Sequence, residues 1–215
     1  MTILALEFSS PQRSVAVLRP SDAVFEVVET GGHGTNAFAM IEQALAEVKI
    51  EREQIDVLAV GLGPGSYTGV RAAISLAQGW QLACGVKLLG VSSAECLAAR
   101  ARTENILGRV NVVIDAQRSE FYLATYEITP DGWWEIAPLK ILSQAEIQSR
   151  AEAGEILIGP EAARWFPGGR TIFPRAVALA ELAARRSDFV PGEKLEPVYL
   201  RETNFVKSPP RRPVA

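Results

Sequence analysis

Residues 61–71 read GLGPGSYTGVR, a glycine-rich segment between an apolar run at 55–62 and a helical pattern that continues to about residue 84. A strand that turns through glycines into a helix aims backbone N–H groups and the positive helix end at one point, the arrangement by which many folds hold phosphate. The spacing nevertheless fails each standard test. A P-loop requires GxxxxGK[ST], and no lysine lies between Gly61 and Lys87. The dinucleotide fingerprint GxGxxG lacks its third glycine, because Ser66 and Thr68 stand in those positions, and the strand KLLGV at 87–91 ends without a ribose-binding acid. A nucleophile elbow around Ser66 would need glycines where Pro64 and Thr68 stand. What survives is a looser set, Gly63, Gly65, Ser66, Thr68 and Gly69, open to two readings: a tight turn that lets a helix pack closely, or a vestigial nucleotide contact.

Other chemistry-bearing residues are sparse. His33 is the only histidine, so a two-histidine metal site cannot exist within one copy, and no metal ligands or catalytic residues are assigned. Cys84 and Cys96 match neither a CxxC nor a zinc-ligand spacing and are expected as buried free thiols. Asp115 and Glu120 flank a short turn at 117–119, where turn stabilisation is favoured over acid/base work. With 22 basic against 25 acidic residues the net charge is −3, which gives no general attraction to phosphate backbones. The one basic concentration, Lys207, Arg211 and Arg212 among Pro209, Pro210 and Pro213, reads as a solvated tail. No apolar stretch reaches the roughly 18 residues of a membrane span, and MTILALEFSS does not read as a secretory signal, so no membrane association and a cytoplasmic location are expected.

The elements that must position these residues follow from hydrophobic period. Residues 3–8, 14–18 and 23–29 read as three consecutive strands, and 37–48 as a helix capped by Thr35 or Asn36. A buried strand at 55–62, the glycine turn, a helix to about Cys84, a strand at 87–91 and a helix capped by Ser92 or Ser93 complete the first half. In the second half, strands at 110–116 and 121–128 pair around the turn at 117–119, and 133–137 supplies a third strand. A helix at 142–151 capped by Ser143, a strand at 156–158 and a helix at 175–186 follow. This duplication points to an α/β protein of two related lobes, residues 1–104 and 105–215. The helix after the glycine turn is apolar nearly all round. One stripe is Val70, Ala73, Ile74, Ala77 and Trp80, a second is Ala72, Leu76, Gly79 and Ala83, and a narrow polar seam holds Arg71, Ser75, Gln78 and Gln81. Such a helix is buried on more than one side, either wholly within its subunit or partly against another chain.

Taken whole, GLGPGSYTGVR resembles the hallmark of the TsaB (YeaZ-like) family, dimerisation subunits of the bacterial complex that makes threonylcarbamoyladenosine in tRNA. Further segments agree in order. ILALEFSS and SVAVL resemble the family's first two strands, HGTNAFAMI its HSExLLPxI helix start, VSSAECLA its VSxLExLA, DAQRSEFY its DARxxEVY, and PVYLR its closing strand. The resemblance spans essentially the whole chain and implies the actin-like ASKHA (ribonuclease H-like) fold, with two lobes of βββαβα type.

It also implies a non-catalytic partner of the catalytic paralogue TsaD, working with the ATPase TsaE. That complex transfers threonylcarbamoyl from threonylcarbamoyl-AMP to N6 of the adenosine 3′ of the anticodon, in tRNAs reading ANN codons. ATP and ADP are handled by the partners, tRNA is met through the complex, and no cofactor is assigned to this chain. The family associates through its first two helices, so Asn36, Met40, Gln43, Ala72, Leu76, Gly79 and Ala83 are the expected interface, which isolated subunits could use to homodimerise. Two positions depart from the pattern: Glu7 stands where ASKHA kinases carry a metal-handling aspartate, and Phe8 where the family has a threonine. The alternative is a stand-alone ASKHA-type nucleotide-dependent enzyme, kinase- or hydrolase-like.

Overall fold

The computed structural model describes residues 1–20, 24–31 and 36–200. His33, Thr35 and the basic tail lie outside the described residues. The first half contains β1 (Ile3–Glu7), β2 (Gln12–Leu18), β3 (Val24–Thr30), α1 (Ala37–Val48), β4 (Val57–Gly61), α2 (Tyr67–Cys84), β5 (Lys87–Val91) and α3 (Ser93–Thr103). The second contains β6 (Gly108–Asp115), β7 (Glu120–Thr129), β8 (Gly132–Ser143), α4 (Gln144–Glu152), β9 (Ile156–Gly159), α5 (Ala162–Trp165), β10 (Arg170–Thr171) and α6 (Ala176–Ala183). The sheets run β3-β2-β1-β4-β5 and β8-β7-β6-β9-β10, so each half repeats one strand order. In both, the first three strands are antiparallel and the later ones join parallel. This is the actin-like α/β architecture of two βββαβα lobes.

Strand β1 is buried on both faces, which is why it reads as an unbroken apolar run rather than an alternation. Leu4 and Leu6 face the core shared with α1 and α2, where Met40, Ile41, Val70, Ala73 and Ala77 pack. Ile3 and Ala5 face the opposite core, which α6 fills with Ala176, Leu179, Ala180 and Ala183. Helix α6, the last α-helix among the described residues, thus covers the first sheet, while α3 places Leu97, Ala98 and Ala101 against Val110 and Val112 of the second. The start of α6 shows how the exchange is held. Its first N–H groups have no capping side chain of their own; Ala176 N donates to Ser14 Oγ (2.8 Å) and Val177 N to Glu26 Oε1 (3.1 Å). Arg175 closes a bidentate pair on the same Glu26, at 3.1 and 2.6 Å.

Of the caps expected, Asn36 serves α1, accepting from Ala39 N, and Ser92 serves α3. Several elements differ from expectation. The strand expected at 133–137 continues to Ser143 as a sheet edge, so Leu142 belongs to β8, and Ser143 still caps α4. The helix expected at 175–186 ends at Ala183. The expected closing strand is absent over residues 196–200, where Val198 N makes one backbone bond, to Leu62 O (2.8 Å). Cys96 is buried as expected, but Cys84 is exposed at the end of α2, where the helix leaves its sheet.

Candidate functional site

The glycine turn packs against the β1–β2 loop. Ser66 caps α2, its Oγ accepting from Gly69 N (3.2 Å) and its carbonyl from Val70 N (2.9 Å), while Ser66 N donates to Ser9 O (2.6 Å). Two glycines are required by this approach. At Gly65, with φ of +150°, a Cβ would run into the Ser9 carbonyl; at Gly69 it would run into the Phe8 carbonyl. Two of the amides that a phosphate would seek at this helix start, Ser66 N and Gly69 N, are occupied by the protein's own oxygens.

Glu7 does not stand open as a metal-handling carboxylate. It is fully buried; Oε1 accepts from Ser9 N (2.8 Å) and Oε2 from Ser93 Oγ (3.1 Å), and the missing side chain of Gly61 leaves the space it fills. Burial pushes its carboxyl above the ordinary 4.5, opposed by the hydrogen bonds from Ser9 and Ser93. The residue ties the end of β1 to the start of α3. Phe8 is fully buried beside it.

Between the lobes lies a cleft of about 520 Å³. Ser9, Ser10, Arg13, Gly65, Ser66, Tyr67 and Thr68 line it from the first lobe, and Asp115, Gln117, Tyr122 and Glu161 from the second. Asp115 holds the following turn, its Oδ1 accepting from Gln117 N (2.6 Å), as turn stabilisation requires. Burial raises the Glu161 carboxyl above 4.5, opposed by the backbone N–H of Asp115 and reinforced by the Asp115 charge.

The second surface of note is the outer side of α1 and α2. Of the α2 stripe expected to be free, Ala72 and Leu76 are half-buried, and Gly79 and Ala83 are exposed. The inner stripe packs on the sheet as expected. Gln78 and Gln81 of the polar seam hold the segment after α6: Gln78 Nε2 donates to Gly192 O and Gly192 N to Gln81 Oε1, both at 2.8 Å. The Arg71 guanidinium lies 4.5 Å from the Tyr67 ring centre, and Tyr67 stacks on Tyr199. On α1, Asn36 and Gln43 are exposed, but Met40 is only 1% exposed and belongs to the core with Ile41, Ala44 and Leu45, so it is not a surface contact.

Residues 29–176 match the family model described as TsaD: tRNA N6-adenosine threonylcarbamoyltransferase. The tRNA threonylcarbamoyladenosine biosynthesis protein TsaB of Escherichia coli is 30% identical, over 94% of this chain and 95% of that protein. The chain belongs to the TsaB family. The Haemophilus influenzae TsaB is 27% identical over 98% of both chains. Among solved structures, YeaZ from Pseudomonas aeruginosa superposes with a TM-score of 0.79 at 29% identity, covering 93% of this chain and 99% of that one.

Within this TsaB-family chain, sequence reasoning missed two exposed apolar residues on the same two helices: Phe38, 60% exposed, and Leu82, 89% exposed. Phe38 fits the apolar spacing of α1, which predicts burial; it sits in the first turn, at the helix end. Leu82 falls outside both α2 stripes, and an isolated leucine near a helix end carries no periodic signal. Arg13 and Glu161 were missed because neither stands in a motif; only the folding of two lobes brings them to one cleft.

Proposed function

We propose that this chain is a non-catalytic, activating subunit of the machinery that makes threonylcarbamoyladenosine in tRNA, pairing with a catalytic TsaD-type partner and acting with an ATPase of the TsaE type in the cytoplasm. The observation that carries the reading is kinship with TsaB proteins along nearly the whole chain. A subunit role is supported by the outer side of α1 and α2, where Phe38, Leu82, Gly79 and Ala83 are exposed together with Gln43. Small residues allow a second pair of helices to approach closely, and large exposed apolar ones supply the area to bury. The same self-complementary patch would serve a homodimer when the partner is absent. Autonomous phosphoryl transfer is disfavoured by the enclosure of Glu7 and by the occupied amides of the glycine turn.

The test is association of the purified chain with a TsaD-type partner, followed by sedimentation velocity. Ala83→Glu and Ala72→Glu would each place an unpaired carboxylate in the contact, which costs several kcal/mol and weakens binding at least about tenfold. Unchanged association by a folded variant excludes this face.

A further inference from the structure

The interlobe cleft is lined from opposite lobes by two charged side chains that each keep one enclosed polar atom without a partner, Arg13 Nε and Glu161 Oε2. The side chain of Arg13, from β2, makes no hydrogen bond or ion pair among the described residues, and its Nε is shut off from solvent; its guanidinium carbon lies 5.7 Å from the Phe8 ring centre. From the other lobe, Glu161 reaches the same cleft just after β9, and its Oε2 is likewise enclosed with no partner. A buried donor or acceptor left unmatched costs about 1–3 kcal/mol, more when charged. Here a cationic donor and a carboxylate acceptor line one cavity from opposite lobes, each with one polar atom unmatched. Beside Glu161 stands a second carboxylate, Asp115, while Ile114, Tyr122 and Pro160 add apolar wall.

A nucleotide triphosphate does not suit this lining. It would meet two carboxylates and no lysine, and Ser66 N and Gly69 N are already donated to Ser9 O and Ser66 Oγ. The complement of one guanidinium opposite a carboxylate pair is a molecule with a carboxylate at one end and an ammonium at the other. We propose that the cleft binds a free α-amino acid with an apolar side chain, its carboxylate on Arg13 and its ammonium on Glu161 and Asp115, the lobes closing so that Arg13 and Glu161 turn onto it. A guanidinium pairs with carboxylate through two parallel N–H bonds, and an ammonium donates three, so both unmatched groups are satisfied together. The cavity lies within the range of small-molecule sites and has room for the side chain against Ile114 and Tyr122. Binding across the lobes makes the ligand a brace between them, independent of the role proposed for α1 and α2.

The experiment is thermal melting and calorimetric titration of the full chain with leucine and phenylalanine at millimolar concentration. N-acetylphenylalanine and phenylalaninamide each lack one charged end, and ATP serves as a control. A saturable rise in Tm with the free amino acids is expected, lost with both blocked forms and absent with ATP. Arg13→Gln and Glu161→Gln, each first shown to melt cooperatively without ligand, should weaken binding at least about tenfold, as loss of a charge-assisted pair does. The proposal is overturned if neither amino acid shifts Tm, if a blocked form binds as well as the free one, or if ATP saturates the cleft instead. Unchanged affinity in either folded variant overturns it too, and one folding variant is enough to decide.

Discussion

Replacing Gly65 by alanine tests whether the glycine-rich motif is there for packing. The added Cβ meets the Ser9 carbonyl, and that oxygen already accepts from Ser66 N at 2.6 Å, so it cannot retreat without breaking the bond that seats α2. Overpacking of this kind costs about 1–3 kcal/mol. A backbone at φ of +150° is glycine territory and adds about 1–3 kcal/mol for alanine. Together these come to roughly 2–6 kcal/mol, against a total stability of about 5–15 kcal/mol. In a chain of this size each kcal/mol moves Tm by roughly 2–4 °C, so Gly65→Ala should melt on the order of 10 °C below the parent. The control is Gly79, inside α2, where an added Cβ would have nothing within 4 Å. There alanine gains about 0.5–1 kcal/mol of helix stability and raises Tm slightly. Melting curves of both variants decide the matter. A Gly65→Ala protein as stable as the parent, with altered nucleotide affinity, would refute the packing account and make the turn a ligand site.

Two further outcomes follow from burial. Because the folded-state pKa of Glu7 is raised, its contribution to stability is fully present below the unfolded value and is lost as pH rises through the folded one. Glu7→Gln keeps an acceptor for Ser9 N and removes the ionisation, so its Tm relative to the parent should climb between acidic and neutral pH; a pH-independent difference contradicts the assignment. Iodoacetamide at neutral pH should modify one thiol per native chain and two after denaturation. Cys84 is exposed, whereas Cys96 is enclosed, donates to Arg175 O, and is pushed well above 9.0 by burial and by the nearby Glu7 carboxylate. Two rapidly modified thiols in the native protein would contradict the packing of α3.

The two-lobe plan is legible in the sequence because its central strands and first helices carry strong periods: β1 and β4 as short unbroken apolar runs, α1 with Ile41, Ala44 and Leu45 on one face. What is not legible has identifiable causes. Strand β8 hides its length behind Pro138, which reads as a stop; in the structure it falls at a bulge, where Leu123 pairs with Lys140 and Thr125 with Ala137, on an edge strand that tolerates a missing N–H. The crossing of α6 to the first sheet has no sequence signature, since an alanine-rich face states that it is buried but not against what. The family resemblance puts Met40 with Asn36 and Gln43 at an interface, although Met40 continues the apolar stripe of Ile41 and Ala44 into the core. Glu7 stands out in the sequence as a departure, but its enclosure depends on Gly61 and Ser93, which come from distant parts of the chain.

On the function proposed above, this chain activates a threonylcarbamoyl transfer it does not itself perform. The direct measurement is transfer of threonylcarbamoyl from threonylcarbamoyl-AMP to tRNA by purified TsaD-type and TsaE-type proteins, with this chain present, omitted, or supplied alone. Modification that depends on adding the chain, with none from the chain alone, is the expected result. Full modification without it, or modification by the chain alone, would contradict the account.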